Sequence, residues 1–543
     1  MNTLTSDRLG NGERPATRRF LSWRFNWQSA RRLLLAVAII VTVIALFYAE
    51  EDFRGARAWE RYRQQAEALG VPLDWRTLIP KPVPDDQNFA ATPLAKSWLL
   101  VRSNYIFVAT EYWRADNYGR AGGDYYGQQL GQVVFSFRSK KYDGDRHITD
   151  LVAWKTAFDA LHAPPRNRHQ IFDSGKLDLA SRAQAAPSVL DALKTNEAIF
   201  AELRAASRRP YSRYPINYDL PNPAEILLPH LNSFRAVCRR LQLKACAELA
   251  LGRSEEALED VKLSLSVADS AKGEPFLISY LIRVNCLQIA AQPIWEGLAQ
   301  HAWSDAQLRE LETRLQQYNF VADLKPVFDA ERAWGIGIID YVKNTGKVAV
   351  FSDSGNDDPS LARLARIVPS GWFDQEQASY CRLFTSEMEG TFDPAARRVF
   401  PSRAKSSEQV LDREFHGRNL FDVIFVRHQL LSGMLLPALT RVVVRAATAQ
   451  VPTDQAVLAC ALERYRIANG QFPQTLDALV PRFISQLPHD VITGEPYKYR
   501  LTKDGRFVLY SVGWNEKDDG GVPGKTLFDD KVGDWVWQYP PPQ

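Results

Sequence analysis

At 543 residues the chain has length for about three to four domains at roughly 150 residues each, and it is too long for a single small scaffold. Its composition is 45% hydrophobic, 11% aromatic and 24% charged, which excludes a mostly disordered, collagenous or polytopic membrane chain. Lys and Arg total 67 against 63 Asp and Glu, and the resulting +4 excludes the strongly basic balance of a dedicated nucleic-acid binder.

The leader, residues 1–32, carries seven arginines against Asp7 and Glu13. Residues 33–49, LLLAVAIIVTVIALFYA, follow without a charge. As a helix this run is roughly 25 Å long, enough to cross a bilayer. Glu50, Glu51 and Asp52 come next. The positive-inside rule therefore predicts a plasma (inner) membrane anchor with its N-terminus in the cytoplasm and the bulk of the chain outside. Trp23, Trp27, Phe47 and Tyr48 fit the interfacial aromatic positions. A cleaved signal peptide is the rival reading, but cleavage after Ala49 would put bulky Phe47 where a small residue is wanted. Arg18 and Arg19 lack the spacing of a twin-arginine signal and serve as topology charges.

Residues 50–184 form the first region outside the membrane. Residues 53–70 read as an amphipathic helix stopped by Gly70. The following VPLDWRTLIPKPVPDDQNFAATP forbids a long helix or a central strand, yet offers Trp75, Leu78, Ile79, Val83 and Phe89 for burial. A helix is expected over 94–108, and the stretch from Tyr112 to Gly131 supports no assignment.

Residues 185–420 read as an irregular helical domain. Two helices joined at Gly252, with Ala245 and Ala257 at a close approach, resemble one tetratricopeptide repeat. No second copy follows at a 34-residue period, so the expectation is an isolated helical hairpin. The run 353–358, DSGNDD, lacks EF-hand spacing and reads as a solvated turn. Residues 421–449 are apolar but contain Arg427, His428, Pro437 and Arg441, which disfavours a second membrane crossing and predicts a long helix packed on protein.

In the C-terminal module, Leu458, Ala461, Leu462, Tyr465 and Ala468 share a helix face that ends at Asn469-Gly470. A short helix after Thr475, with Leu476, Leu479 and Val480 inward, and strands over 497–501 and 506–512 joined through Asp504-Gly505 complete it. The predicted fold class is thus mainly α: a transmembrane helix, an irregular helical domain that is weakly tetratricopeptide-like, and a small α+β module over part of 421–543.

ALERYRIANGQFPQTLDALV, then GEPYKY, YSVGW and a closing DWVW, resemble the head of the major pseudopilin of type II secretion and related pilin-like proteins. That resemblance implies a long helix on a small antiparallel sheet and a loop able to hold Ca²⁺. Carried over residue by residue, the candidate metal donors are Asp518, Asp519, Asp529, Asp530 and Asp534. The same aspartates read equally as a solvated charged loop. The match covers only about the last hundred residues, and a pilin begins with its processing site and apolar helix, so export by pilin assembly is not implied. From residue 33 onward, the chain also resembles a family of large single-pass bacterial envelope proteins that share the PVPDDQNFA loop, the LPHLNSFRAVCRRLQLKACAELALG hairpin and the EPFLISYLIR segment. No activity is attached to that family.

Phosphate loops, GxSxG elbows, HExxH pairs and nucleotide fingerprints are absent from the sequence. His230 reads as a capping or hydrogen-bonded core histidine, and Glu274, Glu331 and Arg332 as buried charges rather than cleft acids and bases. The five cysteines lack metal spacing and read as small core residues. The sequence therefore favours a non-enzymatic envelope protein, anchored through 33–49, that offers surfaces to an envelope protein partner. The alternative is an anchored hydrolase acting on an envelope polymer, which would need a cleft with two convergent carboxylates about 5–10 Å apart.

Overall fold

The computed structural model describes residues 27–99, 148–161, 179–349, 359–415, 419 and 421–537. The leader arginines as far as Arg24, Trp23, the Tyr112–Gly131 stretch, the 353–358 turn and His147, His162, His169 and His416 lie outside the described residues. What is described is mainly helical. In chain order the helices are α1 (Trp27–Ala68), α2 (Pro93–Ser97), α3 (Leu151–Leu161), α4 (Leu179–Leu193), α5 (Glu197–Ala206), α6 (His230–Ala250), α7 (Ser254–Asp269) and α8 (Leu277–Ala299). They continue with α9 (Asp305–Leu315), α10 (Leu324–Thr345), α11 (Pro359–Ile367), α12 (Ser370–Leu383), α13 (Pro401–Phe415), α14 (Leu430–Leu435) and α15 (Val442–Asn469).

The apolar segment and the amphipathic segment expected after it are one helix. α1 runs unbroken for 42 residues, about 63 Å at 1.5 Å per residue. Glu50, Glu51 and Asp52 are compatible with helix, and the first break comes where Gly70 takes φ +66. There Gly70 N–H bonds Glu67 O and Val71 N–H bonds Ala66 O, a Schellman ending. An 18-residue window of α1 has mean hydropathy 2.5 and none of it is buried by the rest of the chain, so this helix is long and apolar enough to cross a membrane.

The proline-rich loop is ordered because it is pinned at both ends. Trp75 stacks on Trp334 of α10 at 4.3 Å, and Asn88 bonds both the N–H and the carbonyl of Arg213. Trp75 and Phe89 are buried, while Leu78, Ile79 and Val83 are half-buried. Next, α6 and α7 form the expected hairpin, turned at Gly252 (φ +72) by another Schellman ending, and α8 packs against both. All five cysteines are free and buried.

The long helix expected over 421–449 is not there. The chain instead winds a π turn over Asp422–Val426, passes His428 at φ +53, forms α14 and a 3₁₀ turn from Pro437, and only then enters α15. The polar residues explain the break: Arg427 is drawn to Asp422 and Glu414, and His428 to Glu51, so neither lies along a helix face.

The 28-residue α15 ends at Gly470 (φ +78) and packs against α8, α9 and a three-stranded antiparallel sheet. That sheet has the order β3 (Lys498–Leu501), β4 (Phe507–Ser511), β5 (Trp535–Trp537), with Leu501 opposite Phe507 and Ser511 opposite Trp535. A two-residue ribbon, β1 (Phe392–Asp393) with β2 (Arg398–Val399), precedes α13. Val480, expected inward, is partly exposed at the end of the 3₁₀ turn Leu476–Leu479. One hydrophobic cluster extends from Trp75 to Trp537, with a satellite formed by α3, α4 and α6 around Leu151, Val189 and Leu243.

Candidate functional site

The C-terminal acidic loop joins β4 to β5, and Asp518, Asp529 and Asp534 are turned onto backbone N–H groups of the loop itself. Asp534 is fully buried; it accepts Asp519 N–H at 3.1 Å and Gly521 N–H at 2.6 Å. Burial raises its pKa. Asp529 accepts the N–H groups of Lys531, Val532 and Lys525 at 2.9–3.2 Å, the Lys531 bond being the main cause of its lowered pKa. Asp518 accepts Gly520 N–H and the Tyr510 hydroxyl. Asp519 pairs with Lys517 and Asn515, and its pKa is lowered chiefly by the Asn515 amide. Asp530 is exposed. Among the described residues, no group of three or more His, Cys, Asp or Glu side chains is placed to share an ion. Within this loop lies a shallow cleft of about 550 Å³ bordered by Asp519, Val522, Pro523, Gly524, Lys525, Val532 and Gly533, with Val522 and Val532 exposed.

Three sets of buried ionisable groups bear on whether the described interior could do acid–base chemistry. His230 bonds Glu274 at 2.7 Å, Ser279 donates to the other Glu274 oxygen, and Tyr214 stacks on the imidazole at 4.3 Å. His230 reaches Glu274 on the far side of the hairpin rather than neighbouring Glu225, which instead accepts the Asn222 amide. In the second set, Asp454 of α15 accepts Arg397, Gln450 and the Tyr497 hydroxyl. Asp490 nearby accepts Ile492 N–H, and burial pushes its pKa to about 6. The Asp454 charge adds to the rise at Asp490, but the two are only 4% and 2% exposed, so solvent does not reach the pair. In the third set, Glu376 of α12 accepts Leu430 N–H, Ser432 N–H and the Ser432 hydroxyl at 2.7–2.9 Å, and burial lifts its pKa to about 7. Glu331 accepts Leu277 N–H at the start of α8, and Arg332 pairs with Asp329 and Glu389.

The most demanding geometry lies where α1 meets α12. The two helices run in the same direction: Asp52 accepts Gly371 N–H at 2.7 Å, and further along, Cys381 lies against Tyr62. Their backbones touch. A Cβ on Gly371 would lie 2.7 Å from the Glu51 carbonyl carbon, and one on Gly55 would lie 2.5 Å from Gly371 Cα. Buried Glu51 sits over this contact, bonded by Gln375, with His428 Nε2 3.4 Å from its carboxylate. Burial lowers the His428 pKa against the pull of Glu51. Trp372 closes the back by donating its indole N–H to Ile424 O. Sequence reasoning missed this junction. A lone glycine in the helical run FRGARAWERY was the available signal for a close backbone approach, but its partner is 316 positions away.

No protein-family model, curated protein or solved structure matches the chain.

Proposed function

We propose that the chain is a membrane-tethered protein of the cell envelope, its N-terminus cytoplasmic and its bulk extracytoplasmic, acting as a non-enzymatic scaffold that presents its folded part to a protein partner. The observation that carries this reading is the glycine-to-glycine contact between α1 and α12, which welds an apolar helix to the domain core. A tether that only retains an enzyme near a membrane needs no such lock. A scaffold does, because the lock fixes both the standoff and the orientation of what it displays.

The buried carboxylates support the same reading, since those described above are engaged by N–H, hydroxyl or guanidinium donors. On this reading the C-terminal module is a pilin-like head, supported by α15 lying over the β3–β4–β5 sheet, and the cleft at Val522 and Val532 is its docking surface. The test places a photo-crosslinking residue at Val522 or Val532 in cells. A discrete protein adduct from both positions, absent from Lys503 on the hairpin turn, is expected. Adducts of the same pattern from all three positions, or none, refute the docking surface.

A further inference from the structure

Four of the domain's most exposed apolar residues lie on segments packed at the α1–α12 junction. We infer that Ile367, Phe421, Phe425 and Val426 form a collar that dips into the interfacial layer of the same bilayer that α1 enters, an inference that rests on the membrane reading above. Tyr48, in the last turn of the apolar run, donates its hydroxyl to Ile367 O. Four residues later Asp52 holds Gly371, itself four residues beyond Ile367. The two ties are about 6 Å apart along α1, and the α11–α12 turn at Val368–Pro369 lies between them on the other side. Ile367 is therefore level with Tyr48.

The π turn packs on the same junction through three contacts: Trp372 to Ile424 O, Ser379 to Arg427 O, and His428 to Glu51. It projects Phe421, Phe425 and Val426 outward at 67%, 41% and 58% exposure, with the two rings packed at 5.2 Å. Phe53 adds an exposed ring on α1 itself, and exposed Arg363 and Arg366 flank Ile367 on α11. Aromatic rings, an aliphatic tip and two cations at the exit of a spanning helix match the chemistry of the headgroup layer, where apolar groups reach the acyl boundary and arginines meet lipid phosphates. Its neighbour Arg427 is already neutralised by Asp422 and Glu414, so the patch carries no unpaired charge at its centre.

The experiment uses the full chain in phosphatidylethanolamine–phosphatidylglycerol vesicles, with a nitroxide on one introduced cysteine at a time: Ile367→Cys, Phe421→Cys, Phe425→Cys, the span marker Ile40→Cys, and Lys503→Cys as the hydrated reference. The native cysteines are buried and escape labelling. The collar labels should lose collisions with a water-soluble nickel chelate yet keep collisions with oxygen. If Ile40 is shielded by lipid while the collar labels meet the chelate as freely as Lys503, the collar is overturned and the anchor stands. If Ile40 itself meets the chelate, the membrane reading falls and the collar with it. Shielding from both reagents, with spin–spin broadening that disappears on dilution with unlabelled chain, would show a second copy on the patch and would equally overturn the inference.

Discussion

Replacing Gly371 by alanine isolates the contact on which the tether depends. The added Cβ would lie 2.7 Å from the Glu51 carbonyl carbon and closer still to Glu51 O and Asp52 Cα, so the helices must separate by more than about 0.7 Å to restore ordinary 3.4 Å contacts. Overpacking of this kind costs about 1–3 kcal/mol, and stretching the Gly371–Asp52 hydrogen bond adds about 1 kcal/mol. Alanine regains about 1 kcal/mol of helix propensity. The net expectation is a junction weakened by about 2 kcal/mol.

Cys381 reports that weakening directly. Burial holds its thiol at about 12, so it reacts only when α1 lifts off α12. An opening equilibrium shifted by 2 kcal/mol should speed Cys381 modification about 30-fold in peptide-resolved mass spectrometry, at 1.4 kcal/mol per tenfold. Gly55→Ala should act on the same contact, so Gly55→Ala with Gly371→Ala should cost clearly less than the sum of the two. Cys381 reactivity within twofold of the parent, or strict additivity of the pair, would refute the close-approach argument.

Three further outcomes follow from the interior and the acidic loop. Because burial raises the Glu376 pKa to about 7 in the fold from its ordinary 4.5, the native state retains a proton that the unfolded chain loses. Its contribution is therefore greatest below pH 4.5 and declines as pH rises to about 7, by about 3 kcal/mol at most. The stability difference between the parent and Glu376→Gln, followed by denaturant melts, should vary across that window and be flat above it. Asp534→Ala strands the N–H groups of Asp519 and Gly521 and should cost about 2 kcal/mol, whereas Asp530→Ala on the exposed side should stay within about 0.5 kcal/mol and added calcium should leave the melting temperature unchanged. Glu296→Gln leaves buried Arg182 without its ionic partner and should cost about 3–5 kcal/mol in the same melts.

Local chemistry was legible from the sequence. The apolar run, the turns at Gly70, Gly252 and Gly470, and the β3–β4 hairpin at Gly505 each follow from residues within a few positions of the feature. Long-range pairing was not. His230 has Glu225 near it in sequence but bonds Glu274, and periodicity carries no record of which acid folds back. The helix expected over 421–449 failed for the same reason, because its polar residues answer to Glu51, Glu414 and Asp422 rather than to their own neighbours. Of the loop aspartates, composition revealed their number but not that Asp534 and Asp529 spend their oxygens on local N–H groups.

The tethered orientation is tested most directly by accessibility in intact spheroplasts. A cysteine in place of exposed Lys503, probed with a membrane-impermeant maleimide, should be labelled before lysis, and the labelled chain should stay in the membrane pellet through alkaline carbonate extraction. Labelling that appears only after lysis, or release of the intact chain by carbonate, would contradict the account.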